Sequence, residues 1–251
     1  MKTLNFLLFV CTVCLGETAN ITNEDSIMLV IDWPPVVCKS ELCNTLFALH
    51  DIDGFTLHGV WLQKKNAQGL KDSIDCRYGF YANLGEEFNI SALKNDPVLF
   101  KKLKERWISL KDTDQDGDID FEDTKAFWKY EYDKHGKCYP DFFNAYGNFQ
   151  GATYGYFKYA IDLFDIANPN RKLRRLIDGK QTSVGAVQQV FGWNKIKITC
   201  HGNKTSKVIV EIGICYTIKD RLPTNCPTDD SSTCGRYPLN FSFFDRFKGE
   251  L

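Results

Sequence analysis

Phe127-Trp128-Lys129-Tyr130-Glu131-Tyr132-Asp133-Lys134-His135-Gly136-Lys137-Cys138 reads as a helix with chemistry on one face and packing on another. Glu131 and His135 stand four apart, with Lys134 three from Glu131. At ~3.6 residues per turn these three share a face. Trp128 and Tyr132, also four apart, share a neighbouring face suited to a core. Gly136 ends the helix and Cys138 is placed to pin it. An acid, an imidazole and a fixed positive charge on one turn suit proton transfer beside a developing anion. The same pattern suits a solvated surface helix with an i,i+3 ion pair, and this stretch alone leaves both readings open.

Working outward, Phe55-Thr56-Leu57-His58-Gly59-Val60-Trp61 alternates like a half-buried strand. Phe55, Leu57 and Gly59 are expected on one side, and Thr56, His58 and Val60 on the other. Residues 26–33 read as the first strand, stopped by Pro34-Pro35. Residues 64–90 are polar and Gly-rich and read as long loops. Asp96-Pro97 marks a helix start, with Asp as cap and Pro in the first turn. Leu99, Leu103, Trp107 and Leu110 follow at helical spacing. A helix-rich block covers 142–191, with Leu173, Leu176 and Ile177 as an apolar stripe, and strands resume at 195–200 and 206–218. Repeats, low-complexity tracts and an interdomain linker are absent from the sequence. The pattern predicts one α+β domain, an antiparallel-dominated central sheet with helices packed on it.

The chain has 251 residues, within the range of one large domain, and a formal net charge of −1. That charge argues against a tight, salt-dependent duplex binder. It leaves room for an enzyme with a small cleft. Residues 1–16 read as a secretory signal: Lys2, an apolar run over 4–15, then Gly16. The run is too short to span a bilayer, and no other stretch qualifies, so residues 17–251 are expected as a lumenal or secreted domain without a membrane span. Cleavage removes Cys11 and Cys14. It leaves Cys38, Cys43, Cys76, Cys138, Cys200, Cys215, Cys226 and Cys234. An even set in an oxidising compartment predicts four disulfides, with connectivity open on spacing alone. A zinc site lacks its CxxC pair and clustered His. Sequons at Asn20, Asn89, Asn203 and Asn240 suit a glycoprotein. The terminal Lys248-Gly249-Glu250-Leu251 resembles an ER-retrieval signal with Gly in place of Asp, beside the alternative of secretion or delivery to a lysosome or vacuole.

The segments FTLHGVW (55–61) and FWKYEYDKHGKC (127–138) together resemble the two active-site segments of the ribonuclease T(2) family of acid endoribonucleases, which includes the S-ribonucleases. Residues 32–38 (DWPPVVC), 155–163 (GYFKYAIDL) and 210–216 (VEIGICY) resemble further segments of that family. The resemblance implies an α+β fold and cleavage of single-stranded RNA without a catalytic cofactor. DNA, which lacks the 2′-hydroxyl, is expected to be inert, and the chain is expected as a monomer. The resemblance also implies the pairs Cys38–Cys43 and Cys76–Cys138, and Cys200–Cys234 around Cys215–Cys226. It makes His135 the base, His58 the acid and Lys134 the stabiliser of the charged transition state, with Glu131 orienting or assisting. The product is a 2′,3′-cyclic phosphate and then a 3′-phosphate. An imidazole pKa of ~6.5 then predicts an acidic optimum. Two positions depart from the family. Tyr130 stands where the family has a phosphate-holding His; it can donate a hydrogen bond but carries no positive charge, so weaker substrate binding is expected. Trp61 is followed by Leu62 rather than Pro, still offers a stacking face for a base, and leaves base preference open. The alternative is a catalytically weak member acting as a lumenal RNA- or protein-binding glycoprotein.

One acidic stretch goes beyond the family. Asp112, Asp114, Asp116, Gly117, Asp118, Ile119, Asp120 and Asp123 follow the D-x-D-x-D-G-x-I spacing of an EF-hand- or dockerin-like calcium loop over 112–123. Asp112, Asp114 and Asp116 would ligate through side chains and Asp118 through its carbonyl. Asp123 holds the last position, one carbon shorter than the usual Glu. The expected ion is a structural calcium that steadies the helix carrying Glu131.

Overall fold

The computed structural model of the chain describes residues 25–35, 37, 54–65, 71–78, 82, 85–111, 120–177, 182–192, 196–202, 207–226, 234–235 and 239–241. The strands are β1 (Ser26–Asp32), β2 (Thr56–Lys65), β3 (Lys71–Ser73), β4 (Lys197–Gly202), β5 (Lys207–Thr217), β6 (Pro223–Thr224) and β7 (Leu239–Asn240). Five of them lie in the order β3-β2-β1-β5-β4, each pair antiparallel. β6 pairs antiparallel with β5, and β7 pairs parallel with it. β1 is central and buried along its whole length, because both faces are covered. Ile27, Leu29 and Ile31 point into the main core, while Met28 and Val30 pack with Cys215 and Cys226 on the other face.

The helices are α1 (Ile90–Lys94), α2 (Pro97–Arg106), α3 (Phe121–Glu131), α4 (Pro140–Tyr146), α5 (Ala152–Ala167), α6 (Pro169–Ile177) and α7 (Val184–Val190). α5 is the most buried and carries Tyr156, Phe157, Ala160, Ile161 and Leu163 into the main core. α4 approaches it closely: a Cβ on Gly155 would meet the Phe143 carbonyl oxygen at 1.6 Å. Trp107, Trp128 and Phe157 meet in one aromatic cluster, and the Trp128 indole N–H donates to the Trp107 carbonyl at 2.6 Å. Trp128 and Tyr132 therefore anchor the 127–138 segment as their spacing predicts.

The α+β class, the antiparallel sheet and the capped start of α2 match the sequence reading. The Asp96 carboxylate accepts from the backbone N–H groups of Val98 and Leu99, with Pro97 in the first turn. Three disulfides are described: Cys76–Cys138, Cys200–Cys234 and Cys215–Cys226. They are the pairs the family resemblance implies; Cys38 and Cys43 lie outside the described residues.

Three local expectations are corrected. α2 ends at Arg106 with Trp107 as its cap, so Leu110 is buried from the following loop rather than from a fourth turn. The loop region 64–90 contains β3, which pairs with the end of β2; three residues are too few to show a period. On β2, Val60 joins Phe55 and Leu57 in the main core instead of facing away from them. The cause is a β-bulge: Val30 pairs with Gly59 and Ile31 with Leu57, leaving His58 as the extra residue. One extra residue reverses the alternation beyond it.

Candidate active site

The bulge puts His58 where a regular strand would not, on the face that meets α3, with its side chain 29% exposed. Its Nδ1 lies 3.1 Å from Asp32 Oδ2 and 3.4 Å from Glu211 Oε2. These two carboxylates converge because Asp32 on β1 and Glu211 on β5 are direct cross-strand partners. On the other side, His58 Nε2 lies 3.6 Å from Glu131 Oε1. Glu131 is the last residue of α3 and fully buried, and its Oε2 accepts the Trp61 indole N–H at 3.1 Å. Gly59 is what admits it, since a Cβ there would stand 2.4 Å from Glu131 Oε2.

Charge follows from this packing. Burial disfavours the charged form of His58, but Asp32 and then Glu131 outweigh it and hold the imidazole well above its ordinary pKa. Burial raises the Glu131 carboxyl, yet His58 and the Trp61 N–H outweigh that and hold it below the ordinary carboxylate value. Glu211 is pushed up by burial, with the His58 charge opposing. The ligand atoms of Asp32, His58 and Glu211 lie within 4.8 Å of one another, a cluster with the geometry to share a cation. A proton on His58 already supplies that charge.

After Glu131 the helix widens into a π turn over Tyr132–Gly136, closed by the Lys137 N–H donating to the Tyr132 carbonyl at 2.9 Å. The single face expected for Glu131, Lys134 and His135 is thereby split. Glu131 and Lys134 line a cavity of about 520 Å³ together with His58, Tyr130, Phe127, Asp32 and Glu211. His135 turns instead toward residues 74–76, where its Nδ1 meets the Ile74 carbonyl oxygen at 3.1 Å. The neighbouring Lys134 carbonyl accepts the Cys76 N–H at 2.7 Å. His135 is only 3% exposed and stacks on Trp61 at 5.0 Å between ring centres. Its Nε2 is buried without a hydrogen-bond partner. Burial pulls its pKa down to about 4, the Glu131 charge opposing. With Nδ1 donating to a carbonyl, Nε2 holds the lone pair of a neutral base.

Tyr130 lines the cavity and is 44% exposed. Trp61 covers His135 with one ring face, so that face is taken before any base arrives. Lys134 Nζ lies 5.3 Å from the Tyr130 ring centre and 6.0 Å from that of Trp61. Asp112, Asp114, Asp116 and Asp118 lie outside the described residues. Asp123, the last of the loop, is buried in a capping box: Asp120 accepts the N–H of Glu122 and Asp123, and Asp123 Oδ2 accepts the Asp120 N–H. Asn20 and Asn203 also lie outside the described residues. Asn89 is exposed at the start of α1, where its Oδ1 caps the N–H groups of Ser91 and Ala92.

Sequence reasoning did not assign Asp32 and Glu211 to the site, although both fall in segments that carry the family resemblance. Their partnership is a cross-strand contact between residues far apart in the chain, with no local pattern to announce it. Arg77, beside Tyr130, was missed for the same reason.

The profile of the Ribonuclease T2 family matches residues 24–226. Ribonuclease MC of Momordica charantia is 26% identical over 228 residues, covering 87% of this chain and 100% of that one. Ribonuclease S-7 of Nicotiana alata is 24% identical over 208 residues, covering 79% and 80%. Ribonuclease T2-A of Mus musculus is 24% identical over 239 residues, covering 90% and 79%. Among solved structures, ribonuclease MC1 from bitter gourd seeds superposes with a TM-score of 0.60 at 22% identity, covering 86% of this chain and 100% of that one. Human RNase T2 superposes at 0.57 and 21%, covering 86% and 97%. No described helix is long and apolar enough to cross a membrane. With the match spanning most of its length, this chain belongs to the ribonuclease T2 family and is of the metal-independent endoribonuclease class.

Proposed function

We propose that the chain cleaves single-stranded RNA by transesterification through a 2′,3′-cyclic phosphate, followed by hydrolysis to a 3′-phosphate. One observation carries the reading: two imidazoles pack against Trp61, His58 lining the cavity and His135 shielded from it by the indole. His58 is held charged among Asp32, Glu131 and Glu211, while His135 is held neutral by burial. His135 Nε2 accepts the proton of the 2′-hydroxyl as O2′ bonds to phosphorus. The P–O5′ bond breaks as His58 gives its Nε2 proton to O5′. That proton is the one to transfer, since Nδ1 is held by Asp32 while Nε2 stands 3.6 Å from Glu131, beyond a normal hydrogen bond. Lys134 offsets the charge of the phosphorane. In the second step water replaces O5′ and the two His exchange roles. Because Trp61 stacks over His135, base catalysis requires the indole to swing aside as substrate enters.

The test is cleavage of single-stranded RNA in chelator with DNA as control, with products resolved by mass. A cyclic phosphate should appear first and DNA should stay intact. His58→Ala and His135→Ala should each lower turnover by roughly 10²–10⁴. The pH profile should rise near the His135 value of about 4 and fall only above the ordinary histidine value. Absence of the cyclic product removes the mechanism. The shielding of His135 favours one second reading, a catalytically weak member that binds RNA or protein. Turnover near the uncatalysed rate with RNA binding retained selects it.

The proposal extends to processing. Removal of 1–16 would leave one domain over 17–251, monomeric and delivered to the secretory route, with the terminal KGEL either retrieving it to the ER or passed over. Asn89 suits a glycan, since its capping uses Oδ1 and leaves the amide nitrogen. N-terminal sequencing, a glycosidase shift and the elution volume of the secreted protein test these points. The 112–123 loop is proposed to take a structural calcium on its spacing alone.

A further inference from the structure

Tyr130 brings a phenol to a position beside the cavity and no positive charge. A different element brings that charge. Residues 74–78 run alongside the π turn, tied to it by the Cys76–Cys138 disulfide and by the backbone contacts of Ile74 and Cys76. At the end of this run Asp75 receives Arg77 Nε at 2.9 Å and Nη2 at 2.7 Å, and the Arg77 backbone N–H at 3.0 Å. This fork fixes the guanidinium plane, which also has the Tyr130 side chain within reach. The guanidinium carbon lies 4.9 Å from the Tyr130 ring centre and 5.3 Å from that of Tyr78. Lys134 lies over Tyr130 as well. Tyr130 thus has two cations against its ring, and Tyr78 beside Arg77 is 67% exposed. Tyr130 and Lys134 line the cavity that holds His58, so the shelf of Arg77, Tyr78 and Tyr130 continues that cavity outward.

We propose that Arg77 binds the phosphodiester next to the one cleaved, with Tyr78 as the stacking face for the attached base, so that residues 74–78 supply the charge Tyr130 lacks. The ligand class is single-stranded nucleic acid longer than a dinucleotide. Arginine suits the task because its planar fork meets phosphate oxygens in pairs and its face stacks on aromatic rings. Asp75 offsets part of the charge, and Lys134 adds to it. The inference rests on the proposed RNA-cleaving reading for what enters the cavity. Its test has a separate arm that needs no cleavage.

That arm is the binding of a fluorescein-labelled oligodeoxythymidine, which lacks the 2′-hydroxyl, followed by anisotropy over a range of salt. Steady-state cleavage of a dinucleotide and of a longer RNA forms the second arm. The proteins are wild type, Arg77→Gln, Arg77→Lys and Arg77→Gln combined with Tyr130→His. Arg77→Gln should weaken oligonucleotide binding roughly tenfold, as for one lost charge-assisted contact. It should also lower the slope of log affinity against log salt by about 0.7, one phosphate on a single strand. KM for the longer RNA should rise with kcat unchanged, while KM for the dinucleotide stays put. Arg77→Lys should keep the slope and part of the affinity, and Tyr130→His should recover affinity at pH 5 in the Arg77→Gln background. Unchanged oligonucleotide affinity and slope in Arg77→Gln, with only a lower melting temperature, would make Arg77 a latch for its own loop and overturn the proposal. Arg77→Lys behaving as Arg77→Gln in the slope would also overturn it. If wild type binds the oligonucleotide through Arg77 yet cleaves no RNA, the cleavage reading falls and this one stands.

Discussion

His58 owes its chemistry to three carboxylates from three elements: Asp32 on β1, Glu211 on β5 and Glu131 on α3. Lys134 adds opposing positive charge from the π turn, and Lys197 on β4 faces Glu211. Asp32 makes the closest contact and, after burial, exerts the strongest influence on His58. Asp32→Asn should therefore lower the His58 pKa and move the alkaline limb of kcat/KM to lower pH. The acidic limb, set by His135 at about 4, should stay. The sign for stability is the same: a group whose folded pKa is raised contributes stability that is complete below its unfolded value of ~6.5 and is lost as pH rises through the folded value. Asp32→Asn should accordingly lower the melting temperature at pH 6 and do so progressively less as pH rises through the folded-state value of His58. A pH profile whose alkaline limb does not move would show that Asp32 does not set the protonation of His58.

Two irregular elements build the site. The bulge on β2 turns His58 toward α3, and the π turn sends Lys134 and His135 to different neighbours. Bulges and π turns strain local regularity and recur at functional positions for that reason. The π turn is held from outside by residues 74–76 and by Cys76–Cys138, whose cysteines are 62 residues apart. Replacing both cysteines by Ser should cost about 2–5 kcal/mol of stability. It should also reduce kcat at temperatures where the domain is still folded, because Lys134 and His135 lose the segment they lean on. Denaturant melts paired with turnover at low denaturant check both parts. Loss of stability with full turnover would confine the disulfide to the fold.

At the scale of the molecule, in the proposed mechanism the sheet supplies the acid and the helical layer supplies the base. His58, Asp32 and Glu211 sit on the sheet; Glu131, Lys134 and His135 belong to the layer packed on it. Catalysis thus depends on the aromatic core around Trp107, Trp128 and Phe157 that docks the two. The near-neutral net charge gives no global pull on RNA, so affinity must come from local cations near the cavity. The calcium proposed for residues 112–123 would act on the start of α3 and so on the same docking. An ion that binds only the folded state raises stability by mass action. Melting temperature should rise with excess calcium over chelator in wild type and not in Asp112→Ala/Asp116→Ala, while RNA cleavage persists in chelator. The capping box formed by Asp120 and Asp123 satisfies the first backbone N–H groups of α3 with side chains of the chain itself, which is why cleavage should survive. Equal melting in calcium and chelator removes the calcium site.

The sequence by itself determined the elements and the candidate catalytic residue types. Trp128 and Tyr132 at helical spacing, the Asp96-Pro97 start and the alternating strands follow local rules that short windows carry. The two motifs also carried His58, Glu131, Lys134 and His135. Tertiary structure alone decided how those groups are charged and which of them face the cavity. Asp32 meets Glu211 through strand pairing, His58 is re-aimed by one unpaired residue, and His135 is turned behind Trp61 by a wider helical turn. Each is a contact between segments distant in the chain, and its energy depends on burial and neighbouring charge, quantities that exist only once the sheet and helices have packed.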